Sequence, residues 1–405
     1  MGKQVYIANN GCESARTDMS LFDMHFKSLG YKPTAEITQA DVVVFGGCSF
    51  HENAYQESIG AIKSLDDKRK PGSTLIVSGC IVGIMPERIK HDVPEANYVL
   101  PLNDLPHLAK ELGNESLAKV VPIFYDDDDA QTVHLKVENG CAGKCTYCVI
   151  PNGRGNLRSY SLDSLAEAAQ NIINEKSGVT LDLVGEDVGA YGLDLRSGTN
   201  VSDLVRRLTK LDGDYKIKIN VINPWYFLEG KNRDVRQDLI DTISDAVDRN
   251  KFVPHLGLSM QSGSDKVLHA MKRLYTSANY ESIIDALRER IPRMTFGTDV
   301  VIGFPTETED DFRQTYDLLS KIRHDYHGLW GYKDMPGAPS TLLNPKVPES
   351  IIKKRMEVLF GLIHHIEMPK KGVSSLNELR DLYANTDARF PMRTNARQLF
   401  GGETK

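Results

Sequence analysis

Short apolar runs alternate with amphipathic stretches along the chain, and the first three runs share an ending. KQVYIANNGC ends at Cys12, ADVVVFGGC at Cys48 and STLIVSGC at Cys80, so each run is followed by Gly-Cys. The stretches DMSLFDMHFKSLG and ENAYQESIGAIKSLDD between them carry apolar residues at helical spacing. This alternation predicts an open parallel sheet covered by helices. Because the carboxyl ends of parallel strands share one edge, these three cysteines, the first triad, are predicted to converge. The alternative is three small buried hydrophobic residues.

A second alternation begins after residue 131 and supplies six further strand candidates. They are residues 133–137, 180–184, 216–222, 255–260, 295–302 and 328–333. Helical patterns such as SLDSLAEAAQNIINEK and TEDDFRQTYDLLSKIR separate them. Six strand-helix units predict a partial (β/α)6 barrel with its chemistry at the carboxyl ends of the strands. The predicted fold class is α/β, with an open parallel sheet domain, a partial barrel and a short helical C-terminal extension.

Changes in composition mark the expected domain boundaries. The acidic segment YDDDDAQ is typical of a solvated connection. We predict an N-terminal α/β domain, a linker, a partial barrel, and a C-terminal helix with a mildly basic tail. Their ranges are 1–115, 116–131, 132–340 and 341–405. Within the last range, SSLNELRDLYAN is predicted to form a short helix.

Charge and hydropathy argue against a generally nucleic-acid-binding protein, a secreted protein and a membrane protein. With 40% hydrophobic and 26% charged residues, the 405-residue chain has the composition of a globular protein. Its formal charge of −6 gives no general attraction to nucleic acid. The chain runs from Met into an apolar strand without a signal-peptide pattern, and no stretch approaches roughly 18 apolar residues. We therefore expect a cytoplasmic protein without membrane contact. Its six cysteines are then better explained by metal binding or catalysis than by disulfides.

Three of those cysteines are crowded into NGCAGKCTYC and form a second triad, Cys141, Cys145 and Cys148. A structural zinc site is closed by four protein ligands, and no Cys or His follows Cys148 at a short spacing. On a cubane [4Fe-4S] cluster, three thiolates leave one iron open to chelate a substrate or cofactor. The spacing therefore favours a cluster with an open iron, and zinc or a purely structural cluster is the alternative.

The motif Cys-x3-Cys-x2-Cys, with Tyr147 before its last cysteine, resembles the signature of radical S-adenosylmethionine enzymes. It stands on the loop after the first predicted barrel strand. Together with the first triad, the segments GCAGKCTYCVIPNGRG, LVGEDVGAYG, MQSGSDKVLHAMKR and TDVVIGFPTETEDDF resemble the methylthiotransferases, which convert C-H into C-S-CH3. The resemblance runs in order over about residues 3–368.

This resemblance implies two [4Fe-4S] clusters and S-adenosylmethionine as cofactors. The cluster on the second triad would bind S-adenosylmethionine through its amino and carboxylate groups. One electron, from a reductant such as flavodoxin or ferredoxin, would then release a 5′-deoxyadenosyl radical. An auxiliary cluster on the first triad would carry the sulfur that one S-adenosylmethionine methylates. A second S-adenosylmethionine would generate the radical that takes hydrogen from the acceptor, whose carbon then couples with the thiomethyl sulfur.

The resemblance also implies a set of cofactor-binding residues around the second triad. They are Tyr147, Arg154, Glu186, Asp187, Gln261, Ser262 and Gly303. The two carboxylates would accept hydrogen bonds from the methionine ammonium, and the arginine would meet an anionic group. The Gln-Ser pair would contact ribose or carboxylate, and the glycine would let the backbone approach the adenine. The alternatives are ordinary turn residues, a strand-end breaker and an exposed arginine.

The chain departs from the family pattern at its C-terminal end and in two motifs. The segment after residue 368 is too short and too poor in β-branched residues for TRAM, the small β-barrel that normally helps grip the macromolecule. RSY and GFPTE stand where the family has RSR and GFPGE. Because the chain is negatively charged and lacks this barrel, we predict a peptide, protein or small-molecule acceptor. We also expect the enzyme to be a monomer.

Two other functions stay open at this point. One is a tRNA methylthiotransferase that acts on an adenosine beside the anticodon. Its phosphate contacts would come from local basic patches formed by Lys272 with Arg273, or by Arg389, Arg393 and Arg397. The other is a non-catalytic metal-binding module with zinc on the second triad.

Overall fold

The computed structural model describes residues 2–126, 129–232 and 234–371. The strands are β1 (Gln4–Asn9), β2 (Lys32–Pro33), β3 (Val42–Gly46), β4 (Thr74–Ser78), β5 (Tyr98–Val99), β6 (Ile123–Tyr125), β7 (Thr132–Lys136), β8 (Glu138–Asn139), β9 (Arg158–Ser159), β10 (Val179–Val184), β11 (Tyr215–Ile219), β12 (Val221–Ile222), β13 (Leu228–Glu229), β14 (Asp234–Val235), β15 (His255–Leu258), β16 (Thr295–Ile302) and β17 (Tyr326–Gly331). The α-helices are α1 (Glu13–Ser28), α2 (Glu52–Lys68), α3 (Cys80–Ile84), α4 (Pro86–Asp92), α5 (Leu105–Glu111), α6 (Ile150–Arg154), α7 (Leu162–Glu175), α8 (Val201–Leu208), α9 (Gln237–Asp248), α10 (Asp265–Ala270), α11 (Ser277–Arg290), α12 (Glu309–Ile322) and α13 (Glu349–Lys371).

The described residues form two compact units. The first unit comprises residues 2–144, 148–218 and 335–338. The second unit comprises residues 145–147, 219–334 and 339–371. The domain ranges expected from the sequence stay predictions.

In the first unit, five strands form a sheet of order β2-β1-β3-β4-β5 in which every neighbouring pair is parallel. The central strand β3 is buried along its whole length, as expected when helices cover both faces of a parallel sheet. Asn9, Gly46 and Ser78 are aligned in register, so β1, β3 and β4 end at the same edge. The predicted open parallel sheet is confirmed.

Close packing explains why a glycine precedes Cys48 and another precedes Cys80. Gly79 has a φ of 95°, a conformation that side chains disfavour. A Cβ at Gly79 would lie 2.5 Å from the carbonyl oxygen of Gly47. The loops after β3 and β4 therefore contact each other through backbone atoms, which brings Cys48 and Cys80 onto adjacent loops.

A second sheet of the first unit has the order β11-β10-β7-β6. β10 is parallel to β7, whereas β6 pairs antiparallel with β7. β6 lies in the segment predicted to be a linker. In the acidic run of that segment Asp126 is buried, and its Oδ2 lies 3.1 Å from Nε2 of His134. The expectation of a solvated run is wrong at Asp126, because the polarity of a segment does not reveal a buried partner for one carboxylate.

The second unit contains a sheet of order β12-β15-β16-β17, with neighbouring strands parallel. The predicted strand at residues 216–222 is two strands, β11 and β12, separated by Asn220. These two strands belong to different sheets, so the prediction of one strand was wrong. The other five barrel strands lie within two residues of their predicted ends. In the described ranges the strands do not close into a barrel, and the predicted α/β class with a partial barrel is confirmed.

Polar N-caps begin several barrel helices, and two of them, Ser161 and Thr308, open helical patterns that were predicted from the sequence. Ser161 caps α7, and capping boxes at Asn200, Thr276 and Thr308 begin α8, α11 and α12. The helix predicted at residues 374–385 and the basic tail lie outside the described residues. No helix in the described part of the chain is both long and apolar enough to cross a membrane.

Candidate functional site

The cysteines of the first triad follow strands whose ends are aligned. Cys12 is the N-cap of α1, Cys48 lies just beyond β3, and Cys80 begins α3. Burial is the main cause that raises the pKa of each thiol, and another thiol of the triad also raises it in every case. The structure therefore brings three sequence-distant thiols within electrostatic reach of one another.

The cysteines of the first triad are only partly buried. Burial raises the pKa of Cys12 to about 11, yet this residue keeps an exposed surface, and Cys48 and Cys80 are half-buried. The N–H of Cys48 donates to Oδ1 of Asn10 at 2.9 Å and to Oγ of Ser58 at 3.0 Å. Side chains from the loop after β1 and from α2 thus fix the backbone at the middle cysteine.

A buried network of four charges accompanies the first triad. Oδ1 of Asp18 lies 2.5 Å from Nζ of Lys136, and the other oxygen of Asp18 pairs with Arg154. Nε of Arg154 lies 3.2 Å from Oε1 of Glu186, which also accepts a hydrogen bond from Oγ of Ser14 at 2.6 Å. The four charged side chains are at most 5% exposed. Solvent does not reach these side chains, so the two cations and the two carboxylates stabilise each other's charge.

Two predicted cofactor residues, Arg154 and Glu186, are members of this network. Arg154 is 1% exposed, so the alternative of an exposed arginine is wrong. Burial opposes its charge, but the neighbouring carboxylates and thiols raise the pKa of Arg154 well above its ordinary value. Asp18 and Lys136 were not among the residues predicted from the sequence. A signal for Lys136 existed, because a lysine inside the apolar run TVHLKV must find a partner if the strand is buried.

Each sulfur of the second triad accepts one N–H hydrogen bond. The pairs are Gly143 N to Cys141 Sγ at 3.2 Å, Arg273 Nη1 to Cys145 Sγ at 3.4 Å and Ile150 N to Cys148 Sγ at 3.4 Å. Donors aimed at sulfur stabilise negative charge on it, and the thiolate is the form that binds metals and clusters. These donors suit the sulfur ligands of a cluster, and the Cys141 thiol in addition donates to Oδ2 of Asp187 at 3.9 Å.

Arg273 is a candidate that the sequence analysis placed on the surface. The residue is 7% exposed, and Nη2 donates to Oδ1 of Asn223 at 2.8 Å and to the carbonyl of Ser259 at 3.1 Å. Its guanidinium also lies 4.5 Å from the ring centroid of Trp225. Arg273 is therefore buried, and it does not contribute to the surface patch with Lys272 that the alternative tRNA function would use. No local pattern distinguishes this arginine from its exposed neighbour.

The predicted carboxylate pair after β10 is divided between two surroundings. Glu186 joins the buried network, whereas Oδ2 of Asp187 lies 3.9 Å from Sγ of Cys141. The N–H of Asp187 donates to Oε1 of Glu138 at 2.7 Å. Burial, reinforced by Glu186, raises the pKa of Glu138 well above its ordinary value and favours its protonated form. Asp187 is thus the member of the pair that lies at the second triad.

Gln261 and Ser262, just beyond β15, differ in their hydrogen-bond partners. Gln261 has a φ of 64°, and its buried Oε1 has no hydrogen-bond partner among the described residues. Oγ of Ser262 lies 3.2 Å from Oγ1 of Thr315 and accepts a hydrogen bond from the N–H of Ser264 at 3.1 Å. Ser262 therefore stabilises the turn, and Gln261 is the residue with an unused acceptor.

Gly303 and Tyr147 both make packing contacts. Gly303 has a φ of 77°, and a Cβ there would lie 2.2 Å from Cγ1 of Ile352 on α13. Its N–H donates to Oε1 of Glu307 at 3.0 Å. The ring of Tyr147 meets that of Phe304 edge-on, with centroids 6.4 Å apart. The close approach of α13 is by itself a sufficient reason for glycine at position 303.

We expect Gly303→Ala to lower the free energy of unfolding by about 2–4 kcal/mol, through the contact with Ile352 and the strain of a side chain at positive φ. Adding Ile352→Ala should recover part of this loss, which denaturant unfolding of both single variants and the double variant measures. Unchanged stability with weaker S-adenosylmethionine binding would instead support the predicted contact with adenine.

The ligand chemistry of both triads fits iron-sulfur clusters, which are held by cysteine thiolates. In the residues that the structure describes, no group of three or more His, Cys, Asp or Glu side chains is arranged to hold a single metal ion. A [4Fe-4S] cluster presents a separate iron to each thiolate. The sulfur atoms that bind such a cluster are therefore further from one another than the sulfur ligands of a single zinc ion, each of which lies about 2.3 Å from the metal.

Two family models match the chain, one around each triad. Residues 135–319 match the radical SAM superfamily, and residues 4–101 match the uncharacterized protein family UPF0004. Membership of the radical SAM superfamily implies a [4Fe-4S] cluster and S-adenosylmethionine as cofactors.

Solved structures share the fold. The radical S-adenosylmethionine methyltransferase TsrM from Kitasatospora setae, with cobalamin and a [4Fe-4S] cluster bound, superposes with a TM-score of 0.58. The match covers 84% of this chain and 77% of that chain at 13% identity. The cobalamin-dependent S-adenosylmethionine radical enzyme OxsB gives a TM-score of 0.54 over 92% of this chain and 58% of that chain, at 14% identity.

Two groups of curated relatives extend over most of the sequence. The ribosomal protein uS12 methylthiotransferase RimO of Thermotoga petrophila is 30% identical, over 87% of this chain and 81% of its own length. The tRNA-2-methylthio-N(6)-dimethylallyladenosine synthase of Carboxydothermus hydrogenoformans is 28% identical, over 93% of this chain and 87% of its own length. With both triads in place and this extent of similarity, the chain belongs to the radical S-adenosylmethionine methylthiotransferases.

Proposed function

We propose that this enzyme carries two [4Fe-4S] clusters and inserts a methylthio group at an unactivated C-H carbon of its acceptor. The second triad would hold the cluster that binds S-adenosylmethionine, and the first triad would hold an auxiliary cluster. The observation that carries the proposal is that Cys12, Cys48 and Cys80 follow the aligned ends of β1, β3 and β4, partly exposed and close to the buried guanidinium of Arg154. Three neighbouring thiols suit a thiolate-bound cluster, and the positive charge of Arg154 lowers the pKa of each thiol against the larger effect of burial.

The bound cofactors would supply the radical that an unactivated C-H bond requires. The chain's own residues would hold and orient them. The N–H donors at the second triad stabilise its thiolates, and Arg273 keeps Cys145 in place through a side chain that is itself fixed on several sides. Asp187 would accept hydrogen bonds from the methionine ammonium, and Oε1 of Gln261 would accept one from a ribose hydroxyl.

The proposed acceptor is a peptide, a protein or a small molecule. A net charge of −6 and the burial of Arg273 weaken the phosphate grip that dominates nucleic-acid affinity. The other predicted basic patch, at Arg389, Arg393 and Arg397, lies outside the described residues. Because the relatives are named for a tRNA nucleoside and for ribosomal protein uS12, tRNA is the second candidate.

The cluster count tests the first part of the proposal. After anaerobic reconstitution, we expect about eight irons per chain in the wild type and about four in Cys12→Ala/Cys48→Ala/Cys80→Ala. About four irons in both proteins would contradict the proposed auxiliary cluster. The chain would then be a radical enzyme that catalyses a different reaction. Zinc in place of iron, with no S-adenosylmethionine cleavage under strong reductant, would favour the non-catalytic metal-binding module.

The acceptor is tested in cells with and without this gene. The tRNA nucleosides, peptides and metabolites of both are compared by mass spectrometry for a gain equivalent to SCH3 replacing H. We expect a modified peptide or metabolite to disappear with the gene. A methylthio-nucleoside that disappears instead would restore the tRNA assignment.

A further inference from the structure

One nitrogen of the Arg154 guanidinium differs from the others in its contacts. Nη1 pairs with Asp18 and Nε with Glu186, whereas Nη2 is buried and has no hydrogen-bond partner among the described residues. A buried donor on a charged group is normally satisfied, and an exception points to something that completes it. In a network where both other contacts are ion pairs, this unused donor indicates an acceptor that binds here.

The helix that carries Arg154 packs directly against the helix that begins with Cys80. A Cβ on Gly153 would lie 3.2 Å from the carbonyl oxygen of Cys80, and a Cβ on Gly83 would lie 2.6 Å from the carbonyl oxygen of Asn152. Two glycines thus let α3 and α6 approach through their backbones. Arg154 follows the first of these glycines and is held next to the first triad.

The residues that hold the Arg154 guanidinium also connect it to the helix of a second cysteine of the first triad, Cys12. Asp18 comes from α1, the helix that Cys12 caps. Ser14, one turn earlier on the same helix, donates to the carboxylate of Glu186 at 2.6 Å. The charge of Arg154 also lowers the pKa of all three thiols, against the larger effect of burial. The guanidinium is therefore both fixed in direction and close enough to act on the triad.

The charges of the network balance before any sulfur is counted. Lys136 and Arg154 compensate Asp18 and Glu186. A thiolate-bound cluster on the first triad would add negative charge beside this network, and sulfur is the acceptor that it would present. A charge-assisted hydrogen bond in a buried site is about twice as strong as a neutral one.

We propose that Arg154 is a positioning residue of the first triad, whose Nη2 donates a hydrogen bond to a sulfur of the auxiliary cluster. This inference rests on the proposed function, which places that cluster there. Hydrogen bonds to cluster sulfur and nearby positive charge stabilise the reduced, more negative state. Arg154 therefore raises the reduction potential of the auxiliary cluster and fixes the side of it that faces α6.

The direct contact is tested by pulsed EPR on the full chain. In Cys141→Ala/Cys145→Ala/Cys148→Ala, only the auxiliary cluster contributes to the spectrum after anaerobic reconstitution and reduction. With ¹⁵N-labelled arginine, we expect a ¹⁵N hyperfine coupling that is lost in Arg154→Lys. Arg355→Lys is the matched control, because Arg355 is also buried and paired with two carboxylates, Glu307 and Glu309. The coupling should persist in this control.

The reduction potential gives a second readout in the same background. Arg154→Gln should lower the reduced-to-oxidised ratio at a fixed potential about tenfold, which for one electron is about 59 mV. Glu186→Gln, which removes a negative charge from the network, should raise the ratio. Misfolding would not produce shifts of opposite sign. An intact auxiliary cluster with no ¹⁵N coupling and an unchanged potential in Arg154→Gln would overturn this inference. Absence of iron on the first triad would overturn the proposed function instead.

Discussion

Replacing Cys145 with alanine is expected to abolish formation of 5′-deoxyadenosine, whereas Cys48→Ala should leave that cleavage measurable and eliminate the thiomethylated product. Cys145 belongs to the triad whose cluster would anchor S-adenosylmethionine at an open iron, and its sulfur also accepts the hydrogen bond from Arg273. Cys48 belongs to the other triad, which the proposed function needs for sulfur delivery alone.

Both variants and the wild type are compared after anaerobic reconstitution, with strong reductant and S-adenosylmethionine. Chromatography quantifies 5′-deoxyadenosine, and the methylthio product is followed by mass spectrometry in cells that lack their own copy of the gene. Each variant is a control for the other, because a general folding defect would remove both activities. If both substitutions leave the product intact, the triads are structural and the division of labour is wrong.

The largest expected loss of stability is that of Asp18→Ala, about 3–5 kcal/mol. This carboxylate pairs with both Lys136 and Arg154 in the interior, so its removal leaves two buried cations facing the single charge of Glu186. Denaturant unfolding followed by circular dichroism measures the change in the transition of the first unit. Hydrogen exchange across α1 should show the same loss of protection.

The same helix offers a matched control, Asp23→Ala. Asp23 pairs with Lys27 across one turn, at 2.6 Å and with both side chains substantially exposed. Such pairs contribute roughly 0.5 kcal/mol, so this substitution should have little effect. Equal losses from Asp18→Ala and Asp23→Ala would show that helix α1, rather than the buried network, sets the stability.

The positions of most strands and helices could be predicted from the chain, because burial imposes a period on the residues themselves. The run at Thr295–Ile302 was predicted with the bounds that the structure has, and Ser161 and Thr308, which open two of the predicted helical patterns, cap helices. The common edge of the three Gly-Cys strands followed from the parallel arrangement that short strand-helix alternation requires.

Pairing partners could not be predicted in the same way. The apolar run at residues 216–222 gives no sign that its two halves enter different sheets on either side of Asn220. Asp126 stands in an acidic, polar run, yet it is buried beside His134. In both cases the deciding contact is with another segment of the chain, which a local pattern does not contain.

The sequence by itself determined the two cysteine triads, the α/β class and the family. Thiol ligands and strand-helix alternation are properties of the residues and their order, so they are visible before folding. Only the tertiary structure decided the roles of the charged side chains. Arg154 meets Asp18 across 136 residues and Arg273 meets Cys145 across 128, in the interior rather than on a surface. The reason is physical: a buried charge is tolerated only with its partners, and folding alone brings those partners to it.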